Sequence, residues 1–334
     1  MSEAPFFIVG CPRSGTTLLQ TLIDAHPRLA VPPESHFFDH FAGLAPAYGD
    51  LRRSGPLRRF VRDVLSDQRI RRWRLGVSVD EFCRDCPGGS VRDVCTHLFG
   101  LYVRREGKAR WGDKTPSHAL CLPAIKSVFP EAKLVHLVRD GRDVAVSLRR
   151  VFFGPNRVDR IAEVWVEYVT ACETFRRQSG SDEWLEVRYE DLVRDPEEQT
   201  GRVLRFLGES PEFDAAAVPK TALRRRYAQL DGGLHGSLAG PISSAKIGSF
   251  RHGLSTREIG VFESIAGSAL ERYGYGRTTA GTVRLRPSER MSWFLKDNCL
   301  RAWRKLGHLD YVIDRFQDRS RRLLQGGLAG GRET

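Results

Sequence analysis

The sequence lacks the features that would mark a metal protein, an integral membrane protein or a disulfide-stapled one. Its seven cysteines, Cys11, Cys83, Cys86, Cys95, Cys121, Cys172 and Cys299, form an odd, scattered set, which excludes a fully paired disulfide framework. Cys83 and Cys86 stand in C-x-x-C spacing, but no second such pair and no paired histidines follow at zinc spacing. No thioredoxin-like strand-helix-strand pattern surrounds them either, so the reading is two ordinary thiols in a loop before Pro87 and no bound metal. No apolar run approaches the ~18 residues needed to span a bilayer, which leaves only peripheral membrane contact. The first residues, PFFIVG at Pro5 to Gly10, read as a strand rather than a secretory leader, and a reduced, cytoplasmic setting is expected. No zinc finger, RRM or other reader of nucleic acid is present, so nucleic acid is not an expected partner.

What is present begins with a length of 334 residues and 41% hydrophobic content, enough for one large α/β domain with or without an extension. The net charge of +12 is concentrated in two places. Residues 51–74 hold nine arginines against Asp63 and Asp67, and residues 284–322 hold eleven Lys or Arg against five acids. Basicity this local points to anionic partners, either a phosphorylated ligand or a membrane surface.

Strand-like and helix-like segments alternate. Phe6 to Val9 is a short apolar run ending at Gly10, and Leu18, Leu19, Leu22 and Ile23 then recur at helical spacing until His26-Pro27. Thr115-Pro116 reads as a helix start leading toward Phe129. Leu134 to Val138 reads as a buried strand, followed by a helix from Asp143 to Arg150 and a long crossover helix from Val158 to Arg177. A third strand from Trp184 to Tyr189 precedes a helix opened by Asp195-Pro196 and closed by Gly208. Ser255-x-x-Glu258 is a capping box for a last helix that ends at Gly274. The order implies an α/β, P-loop-like three-layer fold, a mostly parallel central sheet with helices on both faces, whose ligands bind at the carboxyl ends of the strands. The expected division is a catalytic domain over 1–275 and a basic helical extension over 276–334. In that extension Phe294, Leu295, Cys299, Trp303 and Leu306 form an apolar stripe that either docks on the domain or lies on anionic lipid.

Gly10-Cys-Pro-Arg-Ser-Gly-Thr16-Thr17 follows a strand and opens a helix, the setting in which a glycine-rich loop cradles phosphate. The GxxxxG spacing is that of a nucleotide triphosphatase loop, but Thr16 stands where such enzymes carry lysine. Arg13 can supply the missing positive charge. The segment resembles the sulfotransferases that use 3′-phosphoadenosine 5′-phosphosulfate (PAPS). Their P-[RK]-S-G-T-T-x-L loop is matched in register by Pro12, Arg13, Ser14, Gly15, Thr16, Thr17 and Leu19. In that family a strand ends in an arginine that shares the 3′-phosphate with a serine eight residues on, matched here by Arg139 and Ser147. A Tyr-Glu-Asp after a strand, with the tyrosine near the adenine, is matched by Tyr189-Glu190-Asp191, and Phe250-Arg251-His252-Gly253 is similar to a further phosphate-binding F-R-K-G. The resemblance covers about residues 5–275 and implies PAPS as cosubstrate, PAP as product and no metal.

Sulfuryl transfer needs cations at the leaving phosphate and a base at the acceptor. The resemblance assigns Arg13 and the helix start to the first need and places Lys114 facing the sulfate. Where cytosolic members carry Lys-Thr-His this chain has Lys114-Thr115-Pro116, so their catalytic histidine is missing. Bacterial and tyrosylprotein-type members use a glutamate after the first helix, which puts Glu34 in that role, competent if burial raises its pKa or if the acceptor proton leaves late. His36 and His118 are the next candidates. A small-molecule kinase or NTPase is the rival enzyme class, since LVHLVRD ending at Asp140 imitates a magnesium-binding strand. A non-catalytic, peripheral anion-binding protein is a third reading. Acceptor pockets are built from variable loops, so a small molecule, glycan, lipid or tyrosyl peptide all stay open, as does the oligomeric state.

Overall fold

The first strand, β1 (Phe6–Val9), is apolar at every position because it is buried on both faces. Phe7 and Val9 enter one apolar cluster while Phe6 and Ile8 enter another, so the period-2 alternation of a strand divides the core into two layers. The computed structural model describes residues 4–151, 154–211, 241–286, 288–289 and 291–294. Four further strands, β2 (Leu29–Ala30), β3 (Arg110–Lys114), β4 (Lys133–Val138) and β5 (Trp184–Arg188), join β1 in a sheet of order β2-β3-β1-β4-β5. Every pairing is parallel.

Helix α1 (Thr16–Asp24) follows β1. Between β2 and β3 lie α2 (Ala45–Tyr48), α3 (Ser54–Ser66), α4 (Gln68–Arg71), α5 (Val79–Asp85) and α6 (Val91–Arg105). Helix α7 (Leu122–Val128) joins β3 to β4, while α8 (Gly141–Leu148) and α9 (Val158–Arg176) join β4 to β5. The chain continues through α10 (Tyr189–Arg194), α11 (Pro196–Leu207), α12 (Phe250–Gly253) and α13 (Thr256–Arg272). Leucines and valines of α1, α10 and α11 cover one face of the sheet; α3, α6, α8, α9 and α13 pack in the cluster on the other. This is the expected three-layer α/β, P-loop-like architecture. Because β1 lies between β3 and β4, its carboxyl end is the place where the chain turns to opposite sides, and the loop after it opens into that crevice.

Several helix boundaries follow the sequence closely. Asp195 accepts from the Glu198 amide, Gly208 closes α11 at φ 84, and both bonds of the Ser255/Glu258 capping box form. Other expectations are corrected. Thr115 does not cap a helix running to Phe129: Pro116–Leu120 is a 3₁₀ turn, α7 begins only at Leu122, and the Thr115 hydroxyl donates instead to Asp113. Cys83 lies on α5 with Cys86 at its C-cap, not in a loop, and both thiols are free. The third strand stops at Arg188, with Tyr189 opening α10. Strand β3, RWGDK, escapes a hydrophobicity reading although all five residues are buried. Its Arg110 is satisfied by the carbonyls of Ala4 and Leu207, and Gly112 is packed so closely on Phe6 that a Cβ would lie 2.3 Å from the ring.

After α13 the chain stays on the domain. Thr278 and Thr279 donate backbone and hydroxyl hydrogen bonds to the buried Glu263, and the Val283 amide donates to Ser264. Most of the expected basic extension, residues 295–334 and Arg290, lies outside the described residues. No helix among the described residues is long and apolar enough to cross a membrane.

Candidate active site

The loop between β1 and α1 bends through three positive φ values, Gly10 at 156, Arg13 at 72 and Gly15 at 98. The two glycines are required there. A Cβ on Gly10 would lie 2.4 Å from the Leu137 carbonyl oxygen, and one on Gly15 would lie 2.5 Å from the Tyr189 ring. Helix α1 then starts with no side-chain cap and no acid in its first turn. Its first amides, lacking partners within the helix, and the positive end of its dipole are therefore left for an anion. Beside them the Ser14 hydroxyl and Arg139 Nε are buried with no hydrogen-bond partner. Orphaned polar atoms of this kind fit a site shaped for a phosphate ligand.

Three strand ends meet around the loop. Arg139, at the end of β4, donates to the Arg13 carbonyl at 3.3 Å and to the Lys246 carbonyl at 3.0 Å, and its guanidinium lies 4.2 Å from the centre of the Tyr189 ring at the end of β5. Arg13 Nε donates to Ser147 on α8 at 3.2 Å. The residues that the sequence paired, Arg139 with Ser147, are thus joined through Arg13. Two cations were not foreseen from the sequence: Lys246, an exposed residue whose pKa is lowered by partial desolvation of its ammonium and by Arg139, Arg13 and Arg150, and Arg150 itself. Neither belongs to a motif, and only folding brings them to the loop. Arg251 is placed differently. It is exposed on α12, which packs Gly253 against Val146 of α8, and its guanidinium lies over Phe250.

On the other side, the end of β3 carries Lys114, which has no exposure to solvent. Its ammonium donates to Thr17 Oγ1 at 3.2 Å and to Glu34 Oε1 at 2.5 Å. Glu34 is held by its neighbours: Gln20 of α1 donates to the Val31 and Pro32 carbonyls, and Trp73 donates to the Pro33 carbonyl. Its second oxygen lies 3.4 Å from His36 Nε2, and its side chain remains one-third exposed. The sequence allowed that burial would raise the Glu34 pKa. Burial does act in that direction, but Lys114 and His36 outweigh it and hold the carboxyl well below the usual carboxylate range. His118 is fully buried, with Nε2 accepting from the Phe38 amide, which removes it from reach of an acceptor.

Among the described residues one group, His36, Asp39 and His40, has donor atoms close enough to hold a metal ion, all within 4.8 Å of one another. The Arg69 guanidinium lies 3.1 Å from His40 Nε2, a fixed positive charge set against a cation there. Asp140, which imitates a magnesium ligand in the sequence, is engaged as the N-cap of α8, accepting from the Arg142 amide at 2.9 Å and its guanidinium at 3.0 and 2.8 Å.

Comparisons with known proteins agree with this geometry. The chain is 28% identical over 227 residues to the nodulation protein NoeE of Sinorhizobium fredii, covering 61% of this chain and 50% of that protein. It is 28% identical over 206 residues to protein-tyrosine sulfotransferase 1 of Danio rerio, covering 60% and 52%. It spans about half the length of the curated relatives it matches. The solved sulfotransferase domain of the Synechococcus PCC 7002 olefin synthase superposes with a TM-score of 0.55 at 25% identity, covering 79% of this chain and 95% of that domain. A family model described as "Sulfotransferase family" matches residues 5–214, which include the loop, Glu34, Lys114, Arg139, Ser147 and Tyr189, and the chain therefore belongs to the sulfotransferase family.

Proposed function

We propose that the chain transfers a sulfuryl group from PAPS to an acceptor hydroxyl by in-line, metal-independent displacement, with Glu34 as general base. The observation that carries this reading is Lys114, which joins Thr17 of the phosphate loop to Glu34 through one buried ammonium. The 5′-phosphosulfate rests on the start of α1, with Arg13, Ser14, Gly15, Thr16 and Thr17 around it. Arg139, Ser147 and Lys246 take the 3′-phosphate and Tyr189 faces the adenine, with Arg251, exposed on α12, as a further phosphate contact from the resemblance alone. The acceptor oxygen forms a bond to sulfur as the bond from sulfur to the bridging phosphate oxygen breaks. The electron pair leaves on PAP, and the acceptor proton passes to Glu34.

Lys114 gives this scheme its timing. As negative charge grows on the bridging oxygen, the ammonium is drawn from Glu34 toward it. The carboxylate then loses the cation that kept its pKa low and becomes more basic as the proton arrives. A base depressed in the resting site is thus compatible with late proton loss.

The acceptor is read as a hydroxyl compound, with small molecule, glycan, lipid and tyrosyl peptide as its possible classes. The catalytic unit in this reading runs past the expected boundary at 275, since Thr278, Thr279 and Val283 are bonded to α13, and the basic segments supply any peripheral membrane contact. A kinase reading is disfavoured by Thr16 in the lysine position and by Asp140, which is committed to Arg142. The test is thermal: PAP at a hundredfold excess over its Kd stabilises by about 2.7 kcal/mol, enough to raise the melting temperature. A shift with ATP and magnesium but none with PAP overturns the assignment.

A further inference from the structure

The turn that carries Glu34 holds charged groups that the transfer scheme leaves without a role. His36 lies 3.4 Å from Glu34 Oε2 through Nε2 and 2.9 Å from Asp39 Oδ2 through Nδ1, so one ring is held between two carboxylates. Its backbone is left-handed at φ 51, and Phe37–Phe41 then form a π-helical turn. Both are locally unfavourable and are kept by the surroundings. Thr115 Oγ1 accepts the Ser35 and His36 amides, Ser35 Oγ donates to Asp113 at 2.5 Å, and the Phe37 amide donates back to Ser35 Oγ. Ser117 Oγ donates to Asp39 Oδ2 at 2.6 Å, fixing the second carboxylate.

We propose that Asp39 is a positioning residue for the transfer: it grips the His36 ring, and the ring in turn steadies the Glu34 carboxylate when Lys114 leaves it for the departing phosphate. The proposal rests on the Glu34 reading. Without Lys114 the one-third-exposed Glu34 side chain has His36 as its remaining cationic partner among the bonds above, and a free carboxylate would rotate away from the acceptor. Only an imidazolium has a donor on each nitrogen, so a neutral ring must release one of the two carboxylates. Around the ring, Glu34 and Asp39 favour the charged form. Lys114 beyond Glu34, and Arg69 against the neighbouring His40, oppose it, while Ser117 and the buried His118 and Asp113 lie behind Asp39. Burial disfavours the imidazolium, yet Asp39 and Glu34 outweigh it and raise His36 to about 9.

Asp39→Asn keeps the shape and an oxygen for Ser117 but removes the charge. Two measurements decide: the imidazole NMR titration of His36, assigned by loss of its signal in His36→Asn, and the pH profile of PAPS turnover to PAP with 4-methylphenol or water as acceptor. The expected result in Asp39→Asn is a His36 midpoint lowered by at least one pH unit and an alkaline limb of kcat lowered with it. KM for PAPS should change less than twofold, and Asp39→Glu should restore the limb. A wild-type His36 midpoint in Asp39→Asn, or a kcat lowered equally at every pH, overturns the proposal. If the wild type neither binds PAP nor turns over PAPS, the transfer reading itself fails, and the NMR titration still decides whether Asp39 controls His36.

Discussion

The Arg139 guanidinium lies 4.2 Å from the centre of the Tyr189 ring, and the same ring covers Gly15. The ends of β1, β4 and β5 are thereby packed into one unit through a cation, an aromatic ring and a residue without a side chain. Gly15→Ala should disturb all three. At φ 98 a Cβ is strained whatever the space, and here it also meets the ring at 2.5 Å. A melting temperature lower by several degrees and PAP affinity weaker by about tenfold are expected, the latter equal to ~1.4 kcal/mol. Wild-type values of both, by thermal melt and calorimetry, would show that the loop does not have this conformation.

Arg13→Ala and Arg139→Ala should each weaken PAP binding, because a charge-assisted hydrogen bond contributes about 1.5–3 kcal/mol. The two losses should not add. Arg139 donates to the Arg13 main-chain carbonyl, so removing Arg139 loosens the backbone that aims Arg13 at Ser147, whereas Arg13→Ala keeps that carbonyl and loses only the Ser147 bond. Calorimetry on both single variants and the double variant measures the coupling; unchanged affinity in both singles refutes the cofactor assignment.

How much of this was legible in the sequence depends on how local each signal is. The glycine-rich loop, the Asp195 cap, the Gly208 stop and the Ser255/Glu258 box are written within a few residues and fold as read. Strand β3 was not legible because its burial is satisfied from a distance, Arg110 by Leu207 and Gly112 by Phe6. The same holds for the site. Its loop, Lys114 and Arg139 stand in motifs, whereas Lys246 and Arg150 reach it only through the turn that Asp143 holds at Gly248 and Phe250, and through the end of α8. Which of the two conditions for Glu34 applies was likewise not legible: burial is a local expectation, but the Lys114 charge that lowers the carboxyl comes from 80 residues away.

Stability should fall as pH rises above neutrality. His36 and the wholly buried His136 are each disfavoured by burial, yet raised to about 9, His136 by Cys172 and Glu186. A raised folded pKa means stabilisation that is complete below the unfolded value, about 6.5, and lost as pH rises through about 9. Glu263 has the opposite sign. Burial would raise it, but Thr279 and Thr278 lower it to about 2, so its stabilisation is present above the ordinary carboxylate range and is lost as pH falls toward 2. Melting temperature is thus expected to be highest between about pH 5 and 6.5 and to decline toward 9.5. His136→Gln should flatten the alkaline decline, and an equally steep decline in that variant would remove His136 from the account.

Truncation after Tyr275 should destabilise the domain. It deletes Thr278 and Thr279, which give Glu263 four hydrogen bonds, and leaves that buried carboxylate to Arg142 alone. Loss of solubility or a melting temperature lower by several degrees is the expected outcome. An unchanged melting temperature with loss of sedimentation on anionic liposomes would instead make the extension a lipid-binding element.

Glu34→Gln should lower turnover by about 10²- to 10⁴-fold, the usual contribution of a positioned general base, while leaving PAP affinity close to wild type. Glutamine keeps the reach of glutamate and can still accept from Lys114 through its oxygen, but it cannot take the acceptor proton. Binding and chemistry should therefore separate. Lys114 stands between the phosphate loop and Glu34, bonded to Thr17 Oγ1 on one side and Glu34 Oε1 on the other, so PAP is expected to sense the change at one remove. Lys114 will sense it, because a fully buried ammonium loses its counter-ion, and removing one partner of a buried pair is destabilising. Turnover must accordingly be measured well below the variant's own melting temperature, so that unfolding is not read as lost chemistry. Arg13→Ala provides the contrast: it meets the phosphate in ground and transition states alike, and should damage affinity and turnover together. Wild-type turnover in Glu34→Gln would remove the base assignment. The next candidate would then be His36, whose ring, unlike that of His118, is partly open to solvent, but it takes a proton only as the neutral ring, so turnover would have to rise with pH toward about 9.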